Sequence, residues 1–336
     1  MESLYSRQPP SPTQSDMKFE YDKKQIHRIA AEHSYTSTNV EKVIRLCLIL
    51  EDLNRLDEFA GKLLLKGGTA INLIVFNKLP RLSVDLDLDF AFNLSKEETS
   101  LERERINKAL FTYSEDAGYK ISDRSSFVLD SKSLLYSTTT GSIDKIKLDI
   151  NYHSRCHVYP PVFSDVAFPF GIDKYVRVAH LNVIELFAGK IKALYERCKP
   201  RDIFDIFSLA QSGLLSTKEE QDCIRKCVVF YSVLGNADKP DLLKLDLSEI
   251  RKMPFQALKT QLLPMLHTKQ GRFDKDRLFD VAIDYLENLM KLEDMETEFV
   301  NRFFMGDFRP ELLFDEPTSN NLKMHPVVLR TLQTMK

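Results

Sequence analysis

The chain has 336 residues, 43% of them apolar and 29% charged, with a formal net charge of −2. There is no Trp, but 22 Phe and 12 Tyr supply the bulk for sizeable cores, and the length suits two domains. Near-neutrality excludes nucleic-acid binding by bulk charge alone, and without an apolar run of about 18 residues or a charged-then-apolar start the chain reads as soluble and cytoplasmic, with no membrane partner.

Residues 1–16 (MESLYSRQPPSPTQSD) are polar and Pro-rich and predict a disordered tail. Residues 17–58 read as helical, with Val40, Ile44, Cys47 and Leu48 at helical spacing. LLLK then predicts a short strand ended by Gly67-Gly68, TAINLIVFNKL a helix stopped by Pro80, and VDLDLDFAF a second strand. Ser95 and Glu98 form a capping box for a helix to about Asp116, closed by Gly118. SLLYSTTT and IDKIKLDINY predict a hairpin about Gly141-Ser142. Residues 154–175 read as a long connection. Asn182 with Glu185 caps a helix through Arg197, Pro200 opens the next, and the remainder is helical in texture. The fold class is therefore α+β: a small mixed β-sheet with N-terminal helices over 17–177, and a helical domain over 178–336.

Asp85, Asp87 and Asp89 occupy every second position of the second strand, so they share one face while Val84, Leu86, Leu88 and Phe90 fill the other. No Arg or Lys stands beside them in the chain, and stacked like charges repel. A calcium loop needs Gly at its sixth position and Glu at its twelfth, where Phe90 and Lys96 stand. Mg2+ instead binds through one or two carboxylates plus substrate phosphates, which suits Asp85 and Asp87. Residues i and i+4 of a strand lie roughly 13 Å apart, so Asp89 is peripheral to an ion shared by the other two. An edge strand with solvated acids is the alternative.

Gly67-Gly68-Thr69, between strand and helix, offers backbone N–H groups to a phosphate; Lys66 and Ser83 are either phosphate contacts or surface residues. Chemistry here needs a third acid from an adjacent strand, and Asp149, on the polar face with Lys145, Lys147 and Asn151, is the candidate. In ELFAGKIKALYERCKPRDIFDIF, Lys190 and Arg197 are seven residues apart and share a helix face, while Arg201, Asp202 and Asp205 begin the next helix. A solvated, salt-bridged helix pair would look similar, but Ile203, Phe204, Ile206 and Phe207 predict partial burial of those charges. The five cysteines form no CxxC pair and read as reduced thiols. Cys223 and Cys227, one helical turn apart, would make only half a metal site.

LKGGTAINL, RLSVDLDLDF, KIKLDINY and the helix pair together resemble the AbiEii/AbiGii nucleotidyltransferase toxins, a branch of the DNA polymerase β-like superfamily. PELLF and LKMHPVVLRTLQ resemble that family's ending, so the resemblance spans roughly residues 40 to 336. It implies Mg2+-dependent transfer of a nucleotide from a nucleoside triphosphate (NTP), with one ion or two, to an RNA acceptor such as the tRNA 3′ end. It also implies a growth-arresting toxin restrained by a cognate antitoxin, in abortive phage infection and antiviral defence. By position, Lys66, Gly67, Gly68, Thr69, Ser83, Lys190, Arg197 and Arg201 would bind nucleotide, and Asp85, Asp87 and Asp149 the metal. Catalysis would involve those three acids with Lys190, Asp202 and Asp205. Sixteen residues separate Gly68 from Asp85, a longer interval than is usual in the superfamily. A metal-dependent RNA nuclease, or a non-catalytic module that binds RNA or protein, would use the same acids or the same basic face.

Overall fold

A computed structural model describes residues 19–77, 79–126, 129–234, 247–267 and 273–335. The tail expected at 1–16 lies outside them. The N-terminal segment forms α1 (Lys23–His33) and α2 (Ser37–Arg55), separated where Ser34 takes a left-handed conformation with φ 55°. Then follow β1 (Leu63–Lys66), α3 (Gly67–Ala70), β2 (Asp85–Phe90), α4 (Lys96–Asp116), β3 (Lys120–Asp123), β4 (Leu129–Ser137), β5 (Ile143–Asn151), β6 (Val162–Ala167) and β7 (Tyr175–His180).

The strands make one mixed seven-stranded sheet in the order β3-β4-β5-β2-β1-β7-β6. β2 lies antiparallel to β1 and parallel to β5, and these two pairings set the site. Leu86, Leu88 and Phe90 of β2 and Ile146, Leu148 and Ile150 of β5 are buried on one face of the sheet, together with residues of α2 and α4. Each such side chain contributes about 1.5–3 kcal/mol of burial. The alternation that buries them leaves Asp85, Asp87 and Asp149 on the opposite face.

α4 begins as its capping box predicts, with the Ser95 and Glu98 side chains each bonded to the other's backbone N–H. The helix expected over TAINLIVFNKL is shorter than Pro80 would allow. A single α turn at Gly67–Ala70 passes into a π-helical turn at Ile71–Val75, and Asn77 and Leu79 then adopt positive φ. The physical reason lies in Asn72, whose amide donates to the Gly68 carbonyl at 2.8 Å and whose oxygen accepts the Arg81 N–H at 3.3 Å. Those bonds fold the chain back towards β2. The connection expected at 154–175 also needs correction: it contains β6, an edge strand paired antiparallel with β7. β6 escapes the alternation pattern because, of its inward positions, Val162 and Ser164 are only half-buried, the large Phe163 faces outward, and Pro160-Pro161 precede it.

Beyond His180 the described chain is helical: α5 (Val183–Arg197), α6 (Pro200–Ser212), α7 (Lys218–Val233), α8 (Ser248–Arg251), α9 (Phe255–Gln261), α10 (Lys275–Leu289), α11 (Asp294–Phe304), α12 (Glu316–Leu322) and α13 (Pro326–Thr334). They enclose a second core around Ile191, Val228, Phe230, Ile283 and Phe299. Asn182 caps α5 through the Ile184 N–H, but Glu185 takes no part in the cap. It is buried instead, accepting from the Val158 and Tyr159 N–H groups and from the Tyr231 hydroxyl. All five cysteines are free.

Candidate active site

The parallel register of β2 and β5 sets Asp87 directly beside Asp149, and Asp85 beside Lys147. Paired residues of adjacent strands project to the same side, so the three acids predicted from alternation meet on one surface. Asp149 is held at both oxygens, one accepting from the Ser131 hydroxyl at 2.7 Å and the other from the Lys147 ammonium. Burial raises the Asp87 carboxyl above its usual range; Lys66 opposes this, Asp149 and Asp85 add to it, and Lys190 opposes it. Two acids and two cations therefore act on one carboxylate.

β1 ends at Lys66 and turns through Gly67, whose φ is +69°, a left-handed conformation open to glycine at little cost. A Cβ on Gly67 would stand 2.5 Å from Asp87 Oδ2, and one on Gly68 would stand 2.5 Å from the Arg81 guanidinium and 3.1 Å from the Ser83 hydroxyl. The glycines are required by close approach, and the turn lies against the acids despite the long interval in sequence. Thr69 is fully buried; its hydroxyl donates to the Asp85 carbonyl at 2.5 Å and lies 3.0 Å from Ser83 Oγ. It ties the turn to the start of β2.

Lys66 is half-buried. It pairs with Asp87 in strand register and its ammonium reaches Asp89 at 2.5 Å. The cation missing from the local sequence thus comes from the neighbouring strand. Burial acts to raise the Asp89 carboxyl, but Lys66 and His157 more than offset it and hold it below its usual range. His157 Nε2 lies 3.6 Å from the other oxygen of Asp89. Asp89 is spent on these internal contacts.

On the helical side, Lys190 is buried, its ammonium 2.9 Å from Asp202 Oδ1 and 3.1 Å from Asp205 Oδ2. Arg197 grips Asp202 from above with bonds of 2.7 and 2.9 Å. Burial acts to raise Asp202, and Arg197 with Lys190 overcomes it, leaving the carboxyl low. The Arg197 guanidinium is raised by its hydrogen bond to Asp202 first, with a smaller contribution from the Asp87 charge. Arg201 is half-buried at the start of α6 and forms no hydrogen bond or ion pair with a described residue.

Arg81 carried no signal of its own in the sequence. It is fully buried, bonds Asp205 through Nε at 2.8 Å and NH2 at 2.7 Å, and donates to the Leu82 carbonyl at 3.0 Å. Its hydrogen-bonding partner lies 124 residues away, which no local pattern reports. Among the described residues, no group of three His, Cys, Asp or Glu side chains forms a ready-made metal cage. The arrangement is a row of sheet carboxylates under a glycine turn, facing cations that a second pair of acids holds in place.

The family model described as the nucleotidyl transferase AbiEii toxin of type IV toxin–antitoxin systems matches residues 48–286. The chain is also similar in fold to MenT4, a nucleotidyltransferase toxin from Mycobacterium tuberculosis H37Rv, with a TM-score of 0.60 at 13% identity, covering 94% of this chain and 100% of that one. No curated protein matches it. No helix among the described residues is long and apolar enough to cross a membrane.

Proposed function

The chain belongs to the AbiEii nucleotidyltransferase toxin family of type IV toxin–antitoxin systems, and from that premise we propose that it moves a nucleotide from an NTP to an RNA acceptor, the 3′ end of tRNA, with Mg2+. The observation that supports this reading best is the register of Asp87 with Asp149 beneath the Gly67 turn.

The donors fit the ion. Mg2+ is hard, prefers carboxylate oxygens, and takes only one or two of them when substrate phosphates complete its shell. Asp85 and Asp87 would hold it, with Asp149 as the third acid. Bound there, the ion supplies neutralisation of charge on the triphosphate. The backbone N–H groups at Gly67 and Gly68 receive phosphate oxygens, and Ser83, beside Thr69, lies next to them. Asp149, oriented by Ser131 and Lys147, accepts the proton of the attacking hydroxyl as that oxygen bonds the α-phosphorus of the NTP and pyrophosphate leaves. Lys190 and Arg197 face the acids and offset charge that builds on the transferring phosphoryl group. Asp202 and Asp205 are positioning residues: they hold Lys190, Arg197 and Arg81 rather than touch substrate. Modification of tRNA would arrest growth, and a cognate antitoxin would restrain the enzyme.

The test is incubation with Mg2+, total tRNA and each labelled NTP in turn, read on a denaturing gel. Labelled, lengthened RNA that disappears with chelator supports the reading. Shortened RNA, or no transfer with any NTP, overturns it.

A further inference from the structure

A cavity of about 520 Å³ opens where the chain leaving β5 meets the first turn of α4 and the last helix, α13. Lys96, Arg103, His153, Arg155 and Arg330 line it, and no acidic side chain does. Arg103 is neutralised from behind by the buried Asp130. Among the described residues, Lys96, Arg155 and Arg330 have no such partner. Arg155 donates to the Leu94 carbonyl at 3.1 and 3.3 Å and to the Tyr152 carbonyl at 3.0 Å, which fixes it without cancelling its charge. Burial pulls its guanidinium below the usual value, and among the described residues no carboxylate pairs with it. Arg330 donates to His153 Nε2 at 3.4 Å, and burial, then Arg330 and Arg155, push the His153 imidazole down. Like charges gathered this way repel, and among the described residues no carboxylate pairs with Lys96, Arg155 or Arg330.

Position argues for what would supply it. His153 follows Asp149 by four residues, at most roughly 14 Å of extended chain. Arg155 also lines a second cavity, of about 390 Å³, together with His157 and Phe92. His157 touches Asp89, and the Phe92 ring is 46% exposed. A single phosphate would need one pocket; a basic pocket and an exposed ring joined through Arg155 make a track suited to a strand of nucleotides.

We propose that the cavity walled by Lys96, Arg155 and Arg330, on the α4 side of the sheet, binds the phosphate backbone of the acceptor RNA, away from the end that receives the new residue. The proposal rests on RNA being the acceptor. Lys96 and Arg330 are exposed, and neither forms an ion pair with a described residue, so Lys96→Glu/Arg330→Glu should fold; Lys96→Ala/Arg330→Ala is the milder second variant. Binding of end-labelled total tRNA is measured by anisotropy from low to high KCl, alongside binding of labelled NTP and the melting temperature. The expected result is at least about a tenfold loss of tRNA affinity at moderate salt in the charge-reversed protein. Its log K against log salt plot should be shallower by about 0.7–0.9 per lost contact. NTP binding and melting should match the parent. If the parent binds tRNA and both variants bind it equally well with the same slope, the cavity is not the RNA site, and the acceptor reading survives. If the parent itself does not bind tRNA, both the cavity proposal and the acceptor reading fall.

Discussion

Arg81 and Asp205 join the glycine turn to the helical half of the chain through two parallel hydrogen bonds of 2.8 and 2.7 Å, both side chains almost wholly out of water. The same guanidinium lies where a Cβ on Gly68 would have to sit, so the pair fixes the height of the turn over the acids. Removing one partner of a buried pair leaves an uncompensated charge, at a cost of about 3–5 kcal/mol. Asp205→Ala should destabilise by about that much in urea unfolding followed by circular dichroism. Arg81→Met/Asp205→Leu should recover most of the loss. A single-variant cost below about 1 kcal/mol would show that the pair does not hold the halves together.

Asp87 separates chemistry from folding. Loss of a metal-binding carboxylate should cost several kcal/mol of transition-state stabilisation, and each 1.36 kcal/mol is tenfold in rate, so Asp87→Ala should lose at least about a thousandfold in transfer. Its melting temperature should hold or rise, since its neighbours Asp85 and Asp149 repel it and burial disfavours its charge. A folded Asp87→Ala that still labels tRNA would remove the acid row from the proposed chemistry.

Gly67→Ala tests the close approach directly. The new Cβ would meet Asp87 Oδ2 at 2.5 Å, and the backbone would keep a φ of +69° that costs a non-glycine residue about 1–2 kcal/mol. We expect a modest drop in melting temperature and a far larger fall in kcat, because the carboxylate must move to make room. Unchanged kcat would place the turn away from the reacting phosphates.

Lys190 has two roles that one variant cannot separate. Lys190→Met leaves Asp202 and Asp205 buried with one cation fewer, so stability should fall by about 3 kcal/mol along with activity. Adding Asp202→Asn removes part of the uncompensated charge and should restore stability, but not transfer. Restoration of both would make Lys190 a purely structural residue.

Asp52 gives a pH signature remote from the site. It is buried on α2, where it accepts from the Tyr113 hydroxyl at 2.9 Å, and burial raises its carboxyl to about 6. Between its ordinary value of 3.8 and about 6 the folded protein holds the proton that the unfolded chain has released, so stability falls as pH rises through that window and stays reduced above it. Asp52→Asn, which keeps an acceptor for Tyr113, should gain up to about 3 kcal/mol at neutral pH and nothing near pH 3. Equal gains at both values would mean that the charge is not the cause.

What could be read locally was read. The alternation of Asp85 and Asp87 with Leu86 and Leu88 decides which face is polar whatever the strand pairs with, because the two-residue period belongs to the backbone. The Ser95–Glu98 box, Pro200 at a helix start and the burial of Asp202 and Asp205 among Ile203, Phe204 and Ile206 are likewise carried by neighbours within a turn or two. The family resemblance rested on short stretches too, LKGGTAINL, RLSVDLDLDF, KIKLDINY and the helix pair among them, and the family match and the fold bear it out.

The sequence by itself therefore determined the residue types of the candidate site and the face on which each acid stands. Only the tertiary structure decided their company. Asp149 sits beside Asp87 because β2 and β5 run parallel in one register, Lys66 answers Asp89 across β1 and β2, and Arg81 finds Asp205 from 124 residues away. Such partners are selected by strand order and by the burial of two cores against each other. That choice is a property of the whole chain's packing and leaves no periodicity near either residue.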